Sequence, residues 1–246
     1  MKQQSLISDQ DKAQLKRAFR KDLTGAVNLL LFTQRPSPLT IPGRECPYCA
    51  RTQQLMEELT ALSPKLHLET IDFYQQNQLA QDHEVSRVPA IVFGGNGASR
   101  VKFYGMPLGY ELATIIDDIK TVSRGVSPLR MDTRKKLRQV NKPVHIQVFV
   151  TPTCTFCPGQ ARLAHAFALD CPHITADVIE IQEFPALAQT YAVRSVPLTV
   201  INEYTRFTGA VAEGQLLEKV LEAGVAATPK VDVRADVAKE YDASKR

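Results

Sequence analysis

Apolar positions along the chain form two kinds of stretch, short continuous runs and helical spacings, and the same succession occurs twice. The apolar run Val27 to Phe32 is followed by a stretch with apolar residues at 55, 56, 59 and 62, the spacing of one buried helix face. A second run, Val144 to Val150, is followed in the same way by Leu163, Ala164 and Phe167. Each succession predicts a buried strand and, later, an amphipathic helix.

The two halves of the chain match at a nearly constant offset. Cys46 and Cys49 precede Cys154 and Cys157 by 108 residues, and Val-Pro at 88–89 precedes Val-Pro at 196–197 by the same number. The offset falls to 104 at the two Phe-x-Gly matches, 103–105 and 207–209, because the second copy lacks the glycine-rich turn of residues 94–97. Matches at one offset indicate an internal repeat, so we expect one folding unit written twice.

Each copy predicts the same order of elements. A polar amphipathic helix comes first, at about 8–22 with Ser8 as its N-cap and again at about 131–140. An apolar strand, the cysteine pair, a helix, a second strand and a short helix follow. After Val-Pro come a strand, a hairpin return and a closing helix, at 110–122 and 214–223. This order predicts an α/β fold with two tandem units, each a mixed central sheet flanked by helices.

Glycine and proline divide the two units. Gly125 and Pro128 interrupt the pattern, so we place an N-terminal domain at residues 1–124 and a C-terminal domain at 125–228. The sequence then becomes polar and charged, and we expect a loosely packed tail over 229–246. Thr33 to Glu45 makes the link before the first cysteine pair longer than that before the second, and we interpret it as a surface loop that could shape access to Cys46.

Composition and charge narrow the function classes. The 246 residues are 44% hydrophobic and 23% charged, which is typical of a soluble globular protein, and the net charge of +4 implies no polyanionic partner. Basic residues cluster between 130 and 142, but without interleaved aromatics they indicate a solvated helix face rather than a nucleic-acid site. No apolar run has the length of a signal peptide or a membrane span, so we expect a cytoplasmic protein that binds neither nucleic acid nor membrane.

Cysteine usage points to redox or metal chemistry. Five cysteines are too few for a secreted disulfide scaffold, and in a reducing compartment paired cysteines usually react or bind metal. Four thiolates could ligate zinc in a binding or docking module. However, structural zinc sites bring their pairs within about 15–20 residues, and here each pair precedes its own helix, so we expect no metal. An inert disulfide in one copy is a further alternative. Cys171 has no counterpart and is expected to be a small buried or half-exposed thiol.

A cysteine pair before a helix, followed later by Val-Pro, resembles the thioredoxin fold. Each half resembles a glutaredoxin or thioredoxin unit, and the whole resembles the two-domain protein disulfide oxidoreductases of the glutaredoxin-like type. The segments that carry the resemblance are Cys46-Pro-Tyr-Cys49, Ser86-Arg-Val-Pro-Ala90, Phe103-Tyr-Gly-Met-Pro107, His145 to Cys154 and Val193-Arg-Ser-Val-Pro197. The resemblance implies an enzyme that reduces, oxidises or isomerises protein disulfides through two Cys-x-x-Cys sites.

Position assigns the four cysteines their expected roles. Cys46 and Cys154 are expected at the helix starts, where the helix dipole favours a thiolate, so each would attack a substrate disulfide. Cys49 and Cys157 are expected one turn inside the helix, more buried, and each would resolve the mixed disulfide. Thr155 replaces the proline that such sites usually carry, so we expect the two sites to differ.

The Val-Pro segments are the expected substrate-binding residues. The resemblance implies cis peptide bonds before Pro89 and Pro197, which would turn the backbones of Val88 and Val196 toward the cysteines to pair with an extended substrate. Thioredoxin has a buried aspartate on the strand before its cysteines, and Val148 stands at that position in the second copy.

Other acids and histidines receive no catalytic role from the sequence. Asp72 and Glu180 follow apolar residues on the next strands, without a geometric reason to act on a thiol. His165 is expected at the surface or in packing.

The resemblance also implies the source of electrons. No bound cofactor is expected: the redox-active disulfides would receive electrons from NADPH through a thioredoxin-reductase-type flavoprotein. A paired module of this kind also precedes the flavoprotein part of alkyl hydroperoxide reductase. A dedicated electron carrier between such a flavoprotein and a peroxidase, for example a peroxiredoxin, is therefore the alternative function.

Overall fold

The computed structural model describes residues 4–35, 45–94 and 98–225. Most of the predicted loop at 33–45, most of the glycine-rich turn at 94–97 and the predicted tail at 229–246 lie outside the described residues. Among the residues described, no helix is both long and apolar enough to cross a bilayer.

The described residues of the first half form four helices and four strands. They are α1 (Asp9–Asp22), β1 (Val27–Thr33), α2 (Cys49–Thr60), β2 (Leu66–Asp72), α3 (Asn77–Asp82), β3 (Ala90–Gly94), β4 (Val101–Tyr104) and α4 (Glu111–Arg124). Ser8 caps α1 as predicted, since its hydroxyl accepts a hydrogen bond from the backbone N–H of Asp11.

The second half repeats this order. Its elements are α5 (Met131–Leu137), β5 (Val144–Val150), α6 (Cys157–Asp170), β6 (Ile174–Glu180), α7 (Pro185–Thr190), β7 (Leu198–Ile201), β8 (Thr205–Thr208) and α8 (Glu213–Gly224). Short 3-10 turns lie at Ala98–Arg100 and Ile181–Glu183. The predicted first helix of this half ends earlier than expected, at Leu137.

The eight strands of the described ranges belong to one sheet, in the order β2-β1-β3-β4-β6-β5-β7-β8. Within the first half, β1 pairs parallel with β2, and β3 pairs antiparallel with both β1 and β4. The second half repeats this: β5 pairs parallel with β6, and β7 pairs antiparallel with both β5 and β8. The halves meet where β4 pairs parallel with β6, from Val101 opposite Ala176 to Tyr104 opposite Ile179. The predicted α/β class with two tandem mixed-sheet units is confirmed, and the two sheets are in addition continuous.

The two faces of this sheet are covered unequally. One face carries a single large core that runs through both halves and includes Phe19 of α1, Met56 of α2, Ile115 of α4 and Phe167 of α6. On the opposite face, the short helices α3 and α7 and the segments beside them pack on a smaller core. The active-site helices α2 and α6 therefore share one face of the sheet.

Strand direction brings the two cysteine pairs to the same edge. Strands β1, β4, β6 and β5 all run the same way, so the carboxyl ends of β1 and β5 lie at one edge, and each leads into a cysteine pair. The two strands are four positions apart in the sheet, about 19 Å at the usual strand spacing.

Candidate active site

Each cysteine pair closes a disulfide across the first turn of a helix, with Cα atoms 5.4 Å apart. Helices α2 and α6 begin at Cys49 and Cys157, the second cysteines, and not at Cys46 and Cys154 as the sequence predicted. The first cysteine lies instead in the turn that leads into the helix. It still precedes the free N–H groups of the helix end.

At the first site the two sulfurs differ in exposure as predicted. Cys46 is half-buried, whereas Cys49 is buried against the core. The backbone N–H of Gln34, just after β1, points to Cys49 Sγ at 3.4 Å. That donor would stabilise negative charge on the inner sulfur.

The second site has the same gradient of exposure and more described contacts. Cys154 is half-buried and Cys157 fully buried. The backbone N–H of Cys157 lies 3.2 Å from Cys154 Sγ, and the carbonyl oxygen of Val196 lies 3.7 Å from the same sulfur. A helix N–H aimed at the outer sulfur favours its thiolate.

The two Val-Pro peptide bonds, before Pro89 and Pro197, are cis, which confirms the implication of the family resemblance. The carbonyl oxygen of Pro89 accepts a hydrogen bond from Gly105 N (2.9 Å), and that of Pro197 accepts one from Gly209 N (2.8 Å). The second of these loops holds Val196 beside Cys154.

Asp72 and Glu180, the acids at the ends of β2 and β6, accept hydrogen bonds from backbone N–H groups. Asp72 Oδ1 accepts hydrogen bonds from the N–H groups of Tyr74 (3.1 Å) and Gln75 (2.9 Å). The Glu180 carboxylate accepts those of Gln182 (3.2 Å) and Glu183 (3.0 Å). Both carboxylates fix the turn after their strand, which accounts for the acid at this position in each copy.

A buried carboxyl that the sequence analysis missed is Glu111, the first residue of α4. It is fully buried; Oε2 accepts a hydrogen bond from Thr114 Oγ1 (2.9 Å), while Oε1 has no partner. Burial raises the pKa of Glu111 to about 7. In the sequence Glu111 reads as an ordinary acid in the first turn of a helix, and only the packing of α4 against α6 buries it.

The register between α4 and α6 brings Glu111, at the start of α4, to the same level as the start of α6. Both helices follow strands of the same direction and start at the same edge. Two contacts fix their register: Asp118 Oδ2 to His165 Nδ1 (2.6 Å) and Asp117 Oδ2 to Arg162 Nη1 (3.1 Å).

Counting back from the Asp118–His165 contact aligns the two helix starts. Glu111 lies about 10 Å before Asp118, and Cys157 lies about 12 Å before His165, at the helical rise per residue. Glu111 is therefore level with Cys157. The adjacent N–H, of Tyr110, donates to the carbonyl oxygen of Pro152 at 3.0 Å.

The repeat does not duplicate Glu111. At the offset of 104, the counterpart of Glu111 is Gln215, an amide that cannot titrate. Its side-chain oxygen accepts the N–H of Ala212 (3.0 Å) and caps α8. The acid at this position therefore occurs only in the copy whose closing helix, α4, contacts α6.

The geometry also bears on the zinc alternative. Among the residues with described positions, no three His, Cys, Asp or Glu side chains converge on a point that could hold a metal ion. The two pairs are separated by four strand spacings, whereas Zn–S bonds are about 2.3 Å long. All four thiolates therefore cannot share one ion in this fold.

Comparison with known proteins supports the fold and the chemistry. The model of a thioredoxin domain (Thioredoxin_3) matches residues 144–222. A thioredoxin of Methanocaldococcus jannaschii is 32% identical over 78 residues, which are 31% of this chain and 92% of that protein. The crystal structure of a protein disulfide oxidoreductase from Aeropyrum pernix superposes with a TM-score of 0.79 at 27% identity, covering 89% of this chain and 96% of that one.

Longer relatives match more of the chain at lower identity. An alkyl hydroperoxide reductase component of Staphylococcus aureus is 22% identical over 169 residues, 68% of this chain. The chain spans less than a third of the length of the longer curated relatives it matches. With a thioredoxin matched over nearly its whole length and its fold present twice in tandem, the chain belongs to the thioredoxin family.

Proposed function

We propose that this protein is a thiol–disulfide oxidoreductase that acts on protein disulfides and dithiols through both cysteine pairs. The observation that carries the proposal is the second site, where a half-buried Cys154, a buried Cys157 and the cis-proline loop at Val196 meet at the start of one helix. Cys46 and Cys49, with Val88 and Pro89, form the corresponding first site.

The proposed reaction exchanges one disulfide for another. The thiolate of Cys154 attacks a substrate sulfur, the substrate S–S bond breaks, and the departing substrate sulfur takes a proton. The thiol of Cys157 then loses its proton and attacks Cys154 Sγ. This releases the second substrate thiol and leaves Cys154 and Cys157 oxidised, so two electrons have moved to the substrate. The reverse sequence oxidises a dithiol.

Glu111 is the group we assign to the proton of Cys157. Glu111 starts α4 at the level where Cys157 starts α6. Its carboxyl has an oxygen without a partner and a pKa raised to about 7 by burial. A base whose pKa is close to the operating pH transfers protons most effectively.

Substrate orientation is assigned to the Val-Pro loops. The carbonyl oxygen of Val196 lies beside the attacking sulfur, where it would accept a hydrogen bond from the backbone of an extended substrate segment. Such pairing recognises any peptide backbone, which favours protein disulfides of varied sequence.

Electrons for reduction would come from NADPH through a thioredoxin-reductase-type flavoprotein in the cytoplasm. The similarity to a component of an alkyl hydroperoxide reductase supports a reductase of this kind as the donor. Neither cysteine pair needs a further bound cofactor for the exchange itself.

Reduction of insulin by dithiothreitol, followed as turbidity, tests the proposal. We expect wild-type protein to accelerate the reaction, Cys154→Ser to remove most of the acceleration, and Cys46→Ser to remove less. The variant with both substitutions serves as the blank. No acceleration by wild-type protein whose two pairs are shown to be reduced would refute the proposal.

A second candidate function is dedicated electron transfer to a peroxidase. The similarity to the alkyl hydroperoxide reductase component over 68% of the chain favours it. Reconstitution with NADPH, a flavoprotein reductase and a peroxiredoxin separates the two candidates. Peroxide consumption that depends on Cys154, together with poor insulin reduction, would favour the dedicated carrier.

A further inference from the structure

Exposed apolar side chains concentrate at the edge of the sheet that carries the cysteines. Among the large apolar residues that the structure describes as exposed, Tyr48 and Phe156 lie within the two cysteine motifs, and Leu108 and Tyr110 precede α4 at the same edge. Phe156 is 71% exposed and Tyr110 is 52% exposed. Single exposed apolar residues are ordinary, but a group of them at one site indicates a contact surface.

Leu108 and Tyr110 belong to a segment that both units hold in place. Gly105 N donates to the carbonyl oxygen of Pro89 in the first unit, and Met106 N donates to Glu183 Oε1 of the second unit (2.7 Å). At its other end, Tyr110 N donates to the carbonyl oxygen of Pro152 (3.0 Å). The segment from Gly105 to Tyr110 is therefore anchored along its length.

Gly109 brings this segment directly against the approach to the second site. Its φ is +56°, and a Cβ added there would collide with the carbonyl oxygen of Pro152. Pro152 lies two residues before Cys154, so their Cα atoms are at most about 8 Å apart. Leu108 and Tyr110, on either side of Gly109, thus flank the point where the first unit contacts the residues that lead to Cys154.

Comparison of the two copies shows that the large side chains of Leu108 and Tyr110 occur only where the first unit meets the second. At the offset of 104, Ala212 and Gly214 stand where the first unit has Leu108 and Tyr110. The closing helix of the second unit has no neighbouring unit beyond it in the sheet order. The large side chains therefore occur in the copy whose closing segment abuts an active site.

We propose that Leu108 and Tyr110 of the first unit are specificity-determining residues of the second site. Together with Phe156 they would contact the apolar residues that flank the reacting cysteine of a protein disulfide. The inference rests on the proposed function of Cys154. A small disulfide reaches Cys154 Sγ without touching these side chains, so they select protein substrates.

Single-turnover oxidation tests the inference without an electron donor. The second site is isolated in a Cys46→Ser/Cys49→Ser background, reduced, and mixed with insulin or with bis(2-hydroxyethyl) disulfide. Samples are quenched with acid and alkylated, and mass spectrometry gives the fraction of Cys154 and Cys157 that is oxidised. The rate constant is measured for the background protein and for Leu108→Ser/Tyr110→Ser.

We expect the double serine variant to react about tenfold more slowly with insulin, from the loss of apolar contact area, and at an unchanged rate with the small disulfide. Tyr110→Phe keeps the ring and should retain the insulin rate. Tyr204→Ser is the matched control, because Tyr204 is 90% exposed and lies in the β7–β8 turn at the opposite edge.

Two results would overturn the inference: an unchanged insulin rate, or equal losses with both disulfides, which would indicate a disturbed site instead of lost contacts. Failure of the background protein to react with either disulfide would refute the proposed function of Cys154 and the inference with it. Reaction with both substrates supports the function whatever the serine variant does, so the two failures are distinguishable.

Discussion

His165 Nδ1 lies 2.6 Å from Asp118 Oδ2, and this pair joins the closing helix of the first unit to the helix that carries Cys157. Both side chains are buried, and His165 Nε2 lies 3.3 Å from the carbonyl oxygen of Lys102. Burial alone would lower the pKa of His165, but the Asp118 carboxylate and the Lys102 carbonyl outweigh it and raise the pKa. Of the two sequence expectations for His165, surface or packing, the structure selects packing.

We predict that replacing only one residue of the His165–Asp118 pair lowers the free energy of unfolding strongly, whereas replacing both lowers it much less. His165→Leu leaves the Asp118 carboxylate buried without its partner, which should cost about 3–5 kcal/mol of unfolding free energy. His165→Leu/Asp118→Leu removes both charges and should recover most of that loss. Urea unfolding of the wild type, both single variants and the double variant measures the coupling. Additive losses would show that the two side chains act independently.

The pH dependence of the His165 contribution has a definite sign. A histidine with a raised pKa in the folded state stabilises the fold below its unfolded pKa of about 6.5, and the contribution is lost as pH rises through the folded value. Burial raises the pKa of Asp118 as well, against the opposing effect of His165, so its contribution changes with pH in the same direction. The wild type should therefore lose stability relative to the double leucine variant as pH rises. A difference that stays constant between about pH 5 and 9 would contradict the prediction.

Glu111→Gln should change the release of substrate and leave the first attack intact. At neutral pH we expect release of the mixed disulfide to slow by about 100-fold, because the amide cannot accept the proton of Cys157. Rapid quenching and mass spectrometry should show the mixed disulfide at Cys154 accumulating. Glu183→Gln is the control: burial also raises the pKa of Glu183 to about 7, but Glu183 binds Met106 N, and its loss should leave release unchanged.

Although Glu111→Gln should impair the release step, it should stabilise the fold at high pH. The folded pKa of Glu111 is raised from 4.5 to about 7, so the folded state binds the proton more tightly and loses stability as pH rises between these values. The loss is of the order of 3 kcal/mol. Glu111→Gln should thus be more stable than the wild type at about pH 8 and similar to it at about pH 4. Equal stabilities at the higher pH would mean that the carboxyl is solvated.

Local patterns in the sequence were sufficient to predict most elements of each unit. Apolar runs and helical spacings are properties of single strands and helices, so the repeat identified both cysteine pairs and both Val-Pro segments. The start of each helix was less predictable, since helix ends are the least certain part of an assignment from sequence pattern. The continuous sheet could not be predicted, because Val101 and Ile174 would be apolar in any strand that packs against helices.

The residues that distinguish the two sites depend on the contact between units. Glu111 and Asp118 are ordinary polar residues of an amphipathic helix until α4 packs against α6. Tyr110 gains its position from one hydrogen bond to Pro152, 42 residues further along the chain. No spacing within a single unit contains this information, so only a structure of the whole repeat reveals it.

Gly109→Ala should disturb the second site more than the first. The new Cβ would meet the Pro152 carbonyl oxygen, and a φ of +56° is unfavourable for alanine. We expect a loss of at least about 2 kcal/mol of unfolding free energy, from strain together with the displaced contact. The rate at Cys154 should fall more than the rate at Cys46, when each is measured with the other pair replaced by serine.

Gly125→Ala is the matched control for that substitution. Gly125 has a similar φ of +65°, but no atom lies within 4 Å of an added Cβ. Gly125→Ala should lower the free energy of unfolding by only about 1 kcal/mol, the cost of a left-handed backbone at alanine, and leave both sites active. If the two variants behave alike, the close approach of Gly109 to Pro152 has no role in positioning Cys154.

Alkylation of the reduced protein should rank the five cysteines by position. Cys46 and Cys154 are half-buried, and each precedes a helix end that favours the thiolate, so both should react first with limiting iodoacetamide. Cys49 and Cys157 are buried and should react at least about tenfold more slowly. Cys171 serves as an internal reference, because it is buried, has no partner cysteine, and burial raises the pKa of its thiol.

Mass spectrometry of the peptides gives the order of alkylation, and alkylation in denaturant should abolish that order. Modification of Cys157 as fast as Cys154 would contradict the assignment of Cys154 as the attacking thiol.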